Sequence, residues 1–473
     1  MLFCSIEFIF LFLPVFLLIY YGLPRKYSNI VLFAGSLFFY WYGERKYFIL
    51  ILVSLAIHYA LTRFSYGRSV RVRRACLALM LLYGFGTLFL FKYLGFFADN
   101  WNALAGHAAA AGAGRLPRLN VPQLTLPLGI SFYTFQIASY AIDVYRGGIE
   151  PEKKFINLGA YLTMFPQLIA GPIVLYRQVA GSLDKRKLSA AHLENGLKTF
   201  IIGLSMKMLL ANPFGSLWNQ VLTWGVDSVS VPVAWLGVLA YTFQIYFDFS
   251  GYSVMAMGLG EMLGFKIPRN FRHPYISCSV TEFWRRWHIT LSSWFRDYIY
   301  IPLGGSRRGK GRMVLNMFIV WGLTGFWHGA SWNFVIWGLY YFVILTVEKL
   351  FLSRLLDKSK VLGWIWTFFL VSVGWAIFAI DDSHILLAYL HRMFGCLGQA
   401  QAWMPRNGIF TQVMKDYGVY FILGFFFSIP FPLRIYNVNK KKPVMILALA
   451  VLFGLCVYKL ATAASNPFLY FRF

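Results

Sequence analysis

Two histidines stand where a titratable ring is costly. His288 lies in Thr281-Glu-Phe-Trp-Arg-Arg-Trp-His-Ile-Thr-Leu-Ser-Ser-Trp-Phe-Arg-Asp297, and His328 in Trp321-Gly-Leu-Thr-Gly-Phe-Trp-His-Gly-Ala-Ser-Trp-Asn333. A polar, ionisable ring in an apolar stretch is a functional-site candidate. Imidazole also changes charge near neutral pH, which suits it to moving protons. His328 ends the apolar run 313–327, and a second apolar run, 332–347, follows at once. Gly329 allows a turn or a close backbone approach between them, and Ser331 can cap the second helix. The pattern therefore places an imidazole at a kink between two hydrophobic helices. The plain alternative is a ring hydrogen-bonded to a neighbouring carbonyl.

The surroundings of His288 differ. Trp284, Trp287, Leu291 and Trp294 form one stripe at helical spacing, with Arg285, Ser292 and Arg296 on another face and Arg286, Ser293 and Asp297 beside them. This spacing predicts one amphipathic helix along the membrane interface, and by itself favours a structural role for His288. Asn270-Phe-Arg-His-Pro-Tyr275 reads as a turn leading into it. A third polar site is Gln244-Ile-Tyr-Phe-Asp-Phe-Ser-Gly-Tyr252. A buried Asp248 must be paired, hydrogen-bonded or neutral; it either orients a histidine or pairs with an arginine. Pro127–Gln136 is a fourth, in which Ser131, Thr134 and Gln136 line a channel or bond helix to helix.

Other chemistries lack their residues. The chain has no Walker loop, no Gly-x-Ser-x-Gly elbow and no His-Glu-x-x-His. Cysteines 4, 76, 278, 396 and 456 are scattered and lack metal-ligand spacing, so neither a disulfide framework nor a metal site is expected. Gly304–Arg312 is a basic loop, read as membrane-proximal, with phosphate contact as the other possibility.

The elements that must position these residues are membrane helices. Charged residues make up 13% of the 473-residue chain and hydrophobic residues 59%; a soluble domain carries about 25% charged residues. Aromatics reach 19%, as lipid-facing surfaces and interfacial belts require. The net charge of +26 sits in short loops such as 68–74, 185–187, 307–312 and 440–442. That is the positive-inside pattern of a membrane protein, so no nucleic-acid partner is expected.

The fold expected is an all-α polytopic transmembrane helix bundle of about 11–13 membrane helices, with re-entrant and interfacial helices around a central polar path. Residues 5–23 are read as a first span rather than a cleaved signal peptide. Charge asymmetry places the N-terminus outside, 68–74 inside and the 98–122 loop outside, with a flexible Ala-rich stretch at 105–114. Phe165-Pro-Gln-Leu-Ile-Ala-Gly-Pro-Ile173 is expected to enter and return, because Pro and Gly interrupt the helix and irregular backbone survives at depth only when enclosed. No internal repeat is evident, and 1–473 reads as a single integral-membrane domain whose core motifs fall within 124–333.

Trp284–Gly305 and Gly325-Phe-Trp-His-Gly-Ala330 together resemble the membrane-bound O-acyltransferase family, in particular its alginate O-acetyltransferase branch. The N-terminal Met1-Leu-Phe and Phe10–Pro14, Pro127–Gln136, Phe165–Pro172, Phe247–Gly251 and Asn466–Phe473 match the same branch. The resemblance covers essentially the whole chain. It departs at Gly203–Asn212, where Met206 and Asn212 replace a basic residue and an aspartate common in relatives.

The resemblance implies a catalytic His328 and a supporting His288. Trp327, Asp248, Gln244, Arg285, Arg286 and Ser331 are candidates for supporting roles or for the substrate path. It also implies transfer of an acetyl group from a cytosolic thioester, acetyl-CoA, to hydroxyls of an extracytoplasmic polysaccharide such as alginate. Transfer would be direct or through an extracytoplasmic acyltransferase partner. Acetyl-CoA enters as a substrate, with no tightly bound cofactor, and membrane lipid surrounds the enzyme in a bacterial inner membrane. The alternatives are D-alanyl transfer from a carrier protein to teichoic acid and, in another class, a transporter without catalysis.

Overall fold

The computed structural model describes residues 1–112, 116–395 and 408–462. Among the described residues every regular element is a helix, so the all-α, multi-span architecture stands. The C-terminal 466–473 motif, Cys396 and the end of the 105–114 stretch lie outside the described residues. Cys4, Cys76, Cys278 and Cys456 are free thiols.

Among the described residues six helices are long and apolar enough to cross a membrane: Phe48–Ser65, Val70–Lys92, Ala190–Trp224, Trp332–Leu356, Lys360–Ala379 and Pro443–Thr462. A seventh is counted if Ile409–Ser428 and Phe431–Asn439, bent by 68°, form one broken span. The expected 11–13 membrane helices exceed this count because several apolar runs form helices that are short or polar for a lipid-facing span. Ser28–Gly43 and Ile130–Tyr145 have 16 residues each, and Ile130–Tyr145 is buried almost throughout. A helix enclosed by other helices need not meet the length and hydropathy that lipid demands. Pro443–Thr462 shows the opposite case, with Val444, Leu447, Val451 and Tyr458 exposed and only Leu449 and Cys456 buried.

The chain divides into two compact units. The first contains residues 7–187 together with 1–2 and 329–331. Its centre is the broken segment 155–184. Helix Phe155–Thr163 packs on Ser28–Gly43, where Gly159 leaves room for the Phe33 ring. The chain then breaks at Met164, makes the single turn Phe165–Leu168, and runs irregularly before Tyr176–Asp184. All of 157–176 is buried. Its irregular backbone is tied internally: Gln167 Nε2 donates to the Tyr161 carbonyl at 2.6 Å and Tyr161 OH to the Val174 carbonyl at 2.9 Å. This is the enclosure that non-helical backbone needs at membrane depth. Residues 94–110 form a helix where the Ala-rich loop was expected to be flexible; alanine is the strongest helix former.

The second unit contains 3–6, 188–328 and 332–473. Its axis is the 32-residue helix Val231–Met262, which packs most extensively on Ala190–Ser205. Glycines set that approach. A Cβ on Gly203 would stand 2.6 Å from the Gly251 carbonyl oxygen, and one on Gly196 would stand 2.5 Å from that of Gly258. Any side chain there would force the helices apart. Small residues at such seams let membrane helices pack backbone to backbone. A π-helical turn, Met206–Ala211, interrupts the neighbouring helix and carries Lys207, whose Nζ lies 2.6 Å from Asp248 Oδ1. Asp248, expected on a histidine or an arginine, is thus paired with lysine. Both side chains are nearly inaccessible, so each charge depends on the other.

Candidate active site

The predicted continuous helix over 281–300 is two helices. Val280–Arg286 ends at Trp287, and Ile289–Phe295 begins after His288. His288 has φ 42° and ψ 55°, in the left-handed region. Non-glycine residues sit there at a cost of about 1–3 kcal/mol and persist only where the surroundings fix them. The surroundings here are residues 270–272. The Asn270 carbonyl accepts from Ile289 N–H at 2.9 Å, and Arg272 N–H donates to the Arg286 carbonyl at 2.9 Å. Asn270 Oδ1 accepts from Thr290 N–H at 3.2 Å and Thr290 Oγ1 at 2.9 Å, and lies 3.1 Å from His288 Nδ1.

The first of the two helices is anchored from a distance. Ser279 caps it through Glu282 N–H at 3.0 Å. The Glu348 carboxylate, 2% exposed, accepts from Val280 N–H at 2.7 Å and Thr281 N–H at 2.9 Å. Helix N-termini present such unsatisfied donors and a partial positive charge, so a carboxylate belongs there. Arg286 pairs with Glu282 at 2.6 Å and donates to the Arg272 carbonyl at 3.1 Å. It therefore ties this helix to the 270–272 segment.

His328 is the last residue of Lys310–His328, before the bend 329–331 that holds Ser331 and the start of Trp332–Val347. The expected kink is present. Within the second unit the helices on either side pack tightly, because a Cβ on Gly338 would stand 2.6 Å from the Trp321 carbonyl oxygen. The His328 ring meets Trp337 edge-on at 5.0 Å and Phe378 at 5.1 Å. The Trp327 ring lies 5.0 Å from His328 and 5.8 Å from His288. Phe249 closes on His288 at 4.8 Å.

Both histidines line one cavity of about 640 Å³, within the usual size of a small-molecule site. They are 2% and 6% exposed. Arg285, Arg296 and Lys349, which also line it, are exposed, so the cavity passes from a cationic rim to buried imidazoles among aromatic rings. Among its lining residues none is acidic.

The other candidates divide. Arg285 lines the cavity and Trp327 contacts both imidazoles. Gln244 lies elsewhere on the long helix, its amide against Gly215. Arg286 and Asp248 are engaged in the ion pairs above. Sequence reasoning passed over Asn270, taken as part of a turn, and Glu348. A carboxylate directly after the apolar run 332–347 was a usable signal for Glu348, since acids in or beside membrane runs are rare. Asn270 carried no comparable signal.

A family model described as MBOAT, membrane-bound O-acyltransferase family, matches residues 149–389, a stretch that includes both histidines and all the residues that line the cavity. The chain belongs to the membrane-bound O-acyltransferase family. It is an O-acyltransferase. This O-acyltransferase is 35% identical to a probable alginate O-acetylase of Pseudomonas putida over the whole of both chains. It is 31% identical to the peptidoglycan O-acetyltransferase of Helicobacter pylori over 100% of this chain and 98% of the relative. A teichoic acid D-alanyltransferase of Streptococcus thermophilus is 32% identical over 50% of this chain and 60% of its own length.

Proposed function

We propose that this chain, acting over 1–473 as one catalytic unit in a bacterial inner membrane, moves an acetyl group from acetyl-CoA to hydroxyls of an extracytoplasmic polysaccharide. Transfer is direct or through an extracytoplasmic acyltransferase partner. The observation that carries this reading is that His288 and His328, 40 residues apart in sequence, line one cavity with an exposed cationic rim. Arg285, Arg296 and Lys349 suit a phosphate-bearing donor, because guanidinium and ammonium groups bind phosphate oxygens. The aromatic walls around the imidazoles exclude water, which would otherwise compete for the thioester.

In the proposed step, His328 takes the proton of the acceptor hydroxyl as its oxygen attacks the thioester carbonyl carbon. The tetrahedral oxyanion collapses, the C–S bond breaks, and His328 returns the proton to the departing thiolate. General-base catalysis of this kind contributes about 10²–10⁴-fold. The developing oxyanion needs a donor, for which Trp327 Nε1, a protonated His288 and a nearby arginine are the candidates. No acyl-enzyme is invoked.

The test is transfer of label from radiolabelled acetyl-CoA to surface polymer in membranes carrying the wild type, His328→Ala or His288→Ala at matched protein levels. The reading expects both variants to lose transfer. Full transfer by both would refute it. Supplying a D-alanyl-charged carrier protein instead separates the teichoic-acid alternative, and the polymer that gains label names the acceptor.

A further inference from the structure

We propose that Asn270 sets the tautomer of His288, holding the ring proton on Nδ1 so that the neutral imidazole presents Nε2 as a hydrogen-bond and proton acceptor. The proposal deepens the reading of His288 as a site residue. It follows from donors whose roles admit no choice. The Thr290 backbone N–H can only donate, and its partner is the Asn270 side chain at 3.2 Å. The Asn270 atom at that position is therefore its carbonyl oxygen and not its amide nitrogen. The amide nitrogen then faces Ser253 Oγ at 3.5 Å. The same oxygen accepts from Thr290 Oγ1 at 2.9 Å and lies 3.1 Å from His288 Nδ1. An unprotonated Nδ1 would set a lone pair against a carbonyl oxygen in a site where Asn270 is 1% and His288 2% exposed. The proton belongs on Nδ1, and in a neutral imidazole that leaves the lone pair on Nε2.

Asn270 is held firmly enough to impose this. Its backbone carbonyl takes Ile289 N–H at 2.9 Å, so backbone and side chain of one residue clasp both sides of the left-handed break at His288. Partners of this kind set the orientation and basicity of a functional histidine in metal sites and triads. The consequence divides labour in the cavity. A neutral His288 with its proton on Nδ1 is not a donor from Nε2. It therefore presents Nε2 to the cavity as an acceptor, while His328 takes the hydroxyl proton and the oxyanion is left to Trp327 or an arginine. Asn270 is a positioning residue, acting through His288.

The experiment is solid-state NMR of the full-length chain in lipid bilayers, with ¹⁵N-labelled histidine. The His288 signal among the eight histidines is identified by its disappearance in His288→Gln. A wild-type spectrum with protonated Nδ1 and unprotonated Nε2 is expected; protonated Nε2 with bare Nδ1 overturns the proposal. Asn270→Ala should abolish the Nδ1 preference and lower kcat about 10–100-fold, the loss typical of removing such a partner, with KM for the acyl donor within about twofold. Asn270→Asp, which keeps the acceptor oxygen, should restore the Nδ1–H signal and most of the activity. An unchanged tautomer in Asn270→Ala also overturns the proposal. The wild-type spectrum decides the tautomer without any activity measurement. Thus a His288→Gln enzyme that still acylates fully, beside an Nδ1–H wild type, would sink the catalytic reading and leave the tautomer assignment supported.

Discussion

His58 and His288 are both buried histidines that use Nδ1 for a hydrogen bond, and they differ in where the partner comes from. His58 lies inside the continuous helix Phe48–Ser65, 1% exposed, with Nδ1 2.8 Å from the Ser54 carbonyl one turn earlier. The helix supplies the partner by itself, and the following Thr62 Oγ1 donates to the His58 carbonyl in the same way. His288 sits in a left-handed break, takes its partner from Asn270, and opens on the cavity it shares with His328. A cavity of about 430 Å³ in the first unit has Arg73 and Glu150 among its lining residues and does not include His58. Burial therefore does not separate the two histidines; a broken backbone, a partner distant in sequence and a cavity shared with His328 set His288 apart.

The largest test of that contrast is His328→Ala. It should lower acyl transfer about 10²–10⁴-fold, the contribution of a general base, with the protein still present in the membrane. Transfer assays at matched expression measure this, and a loss below about tenfold would place the proton-transfer step elsewhere. Next is Asp248→Ala. It strands a buried Lys207 ammonium and should destabilise by about 3–5 kcal/mol, whereas replacing both partners with apolar residues should recover much of the loss. Thermal unfolding of the purified chain in detergent compares the two; equal losses would mean that the ion pair is not what holds the π-helical turn against the long helix.

Glu348→Gln should act more gently, on the same side of the contrast as His288. It keeps the shape and removes the charge that receives Val280 and Thr281 N–H, at a cost of about 1–3 kcal/mol. Because the helix it anchors leads into His288, kcat should fall while KM for the donor stays near the wild type. A KM effect alone would assign Glu348 to binding. The smallest effect is expected for His58→Gln, about 1 kcal/mol for one intrahelical hydrogen bond, with transfer within about twofold. Loss of transfer comparable to His328→Ala would break the contrast between the two kinds of histidine.

Much of the architecture was legible in the residues. Apolar runs separated by basic loops announced membrane helices, because lipid demands length and apolarity that nothing else in a chain imitates. The kink at His328 was legible for a local reason: Gly329 and the change from run 313–327 to run 332–347 are adjacent in sequence. The broken element at 155–184 was signalled by Pro166 and Pro172, which a helix interior does not accommodate, and by Gly171, which weakens a helix. The break at His288 was not legible. Trp284, Trp287, Leu291 and Trp294 keep helical spacing straight through it, and the interruption is imposed by residues 270–272, whose hydrogen bonds arrive from outside that stretch.

Residue types and spacing by themselves determined a helical membrane protein and nominated the two histidines, because hydropathy, breakers and an ionisable ring in an apolar run are local properties. Only the tertiary structure decided which polar groups meet. It paired Asp248 with Lys207, set Glu348 on a helix start 68 residues earlier, and put Asn270 on His288. It also brought His288 and His328 to one cavity. Each of these is a pairing of groups distant along the chain. Such pairings are chosen by which helices pack together and by the demand that every buried polar group find a partner, and neither is written in any single stretch of residues.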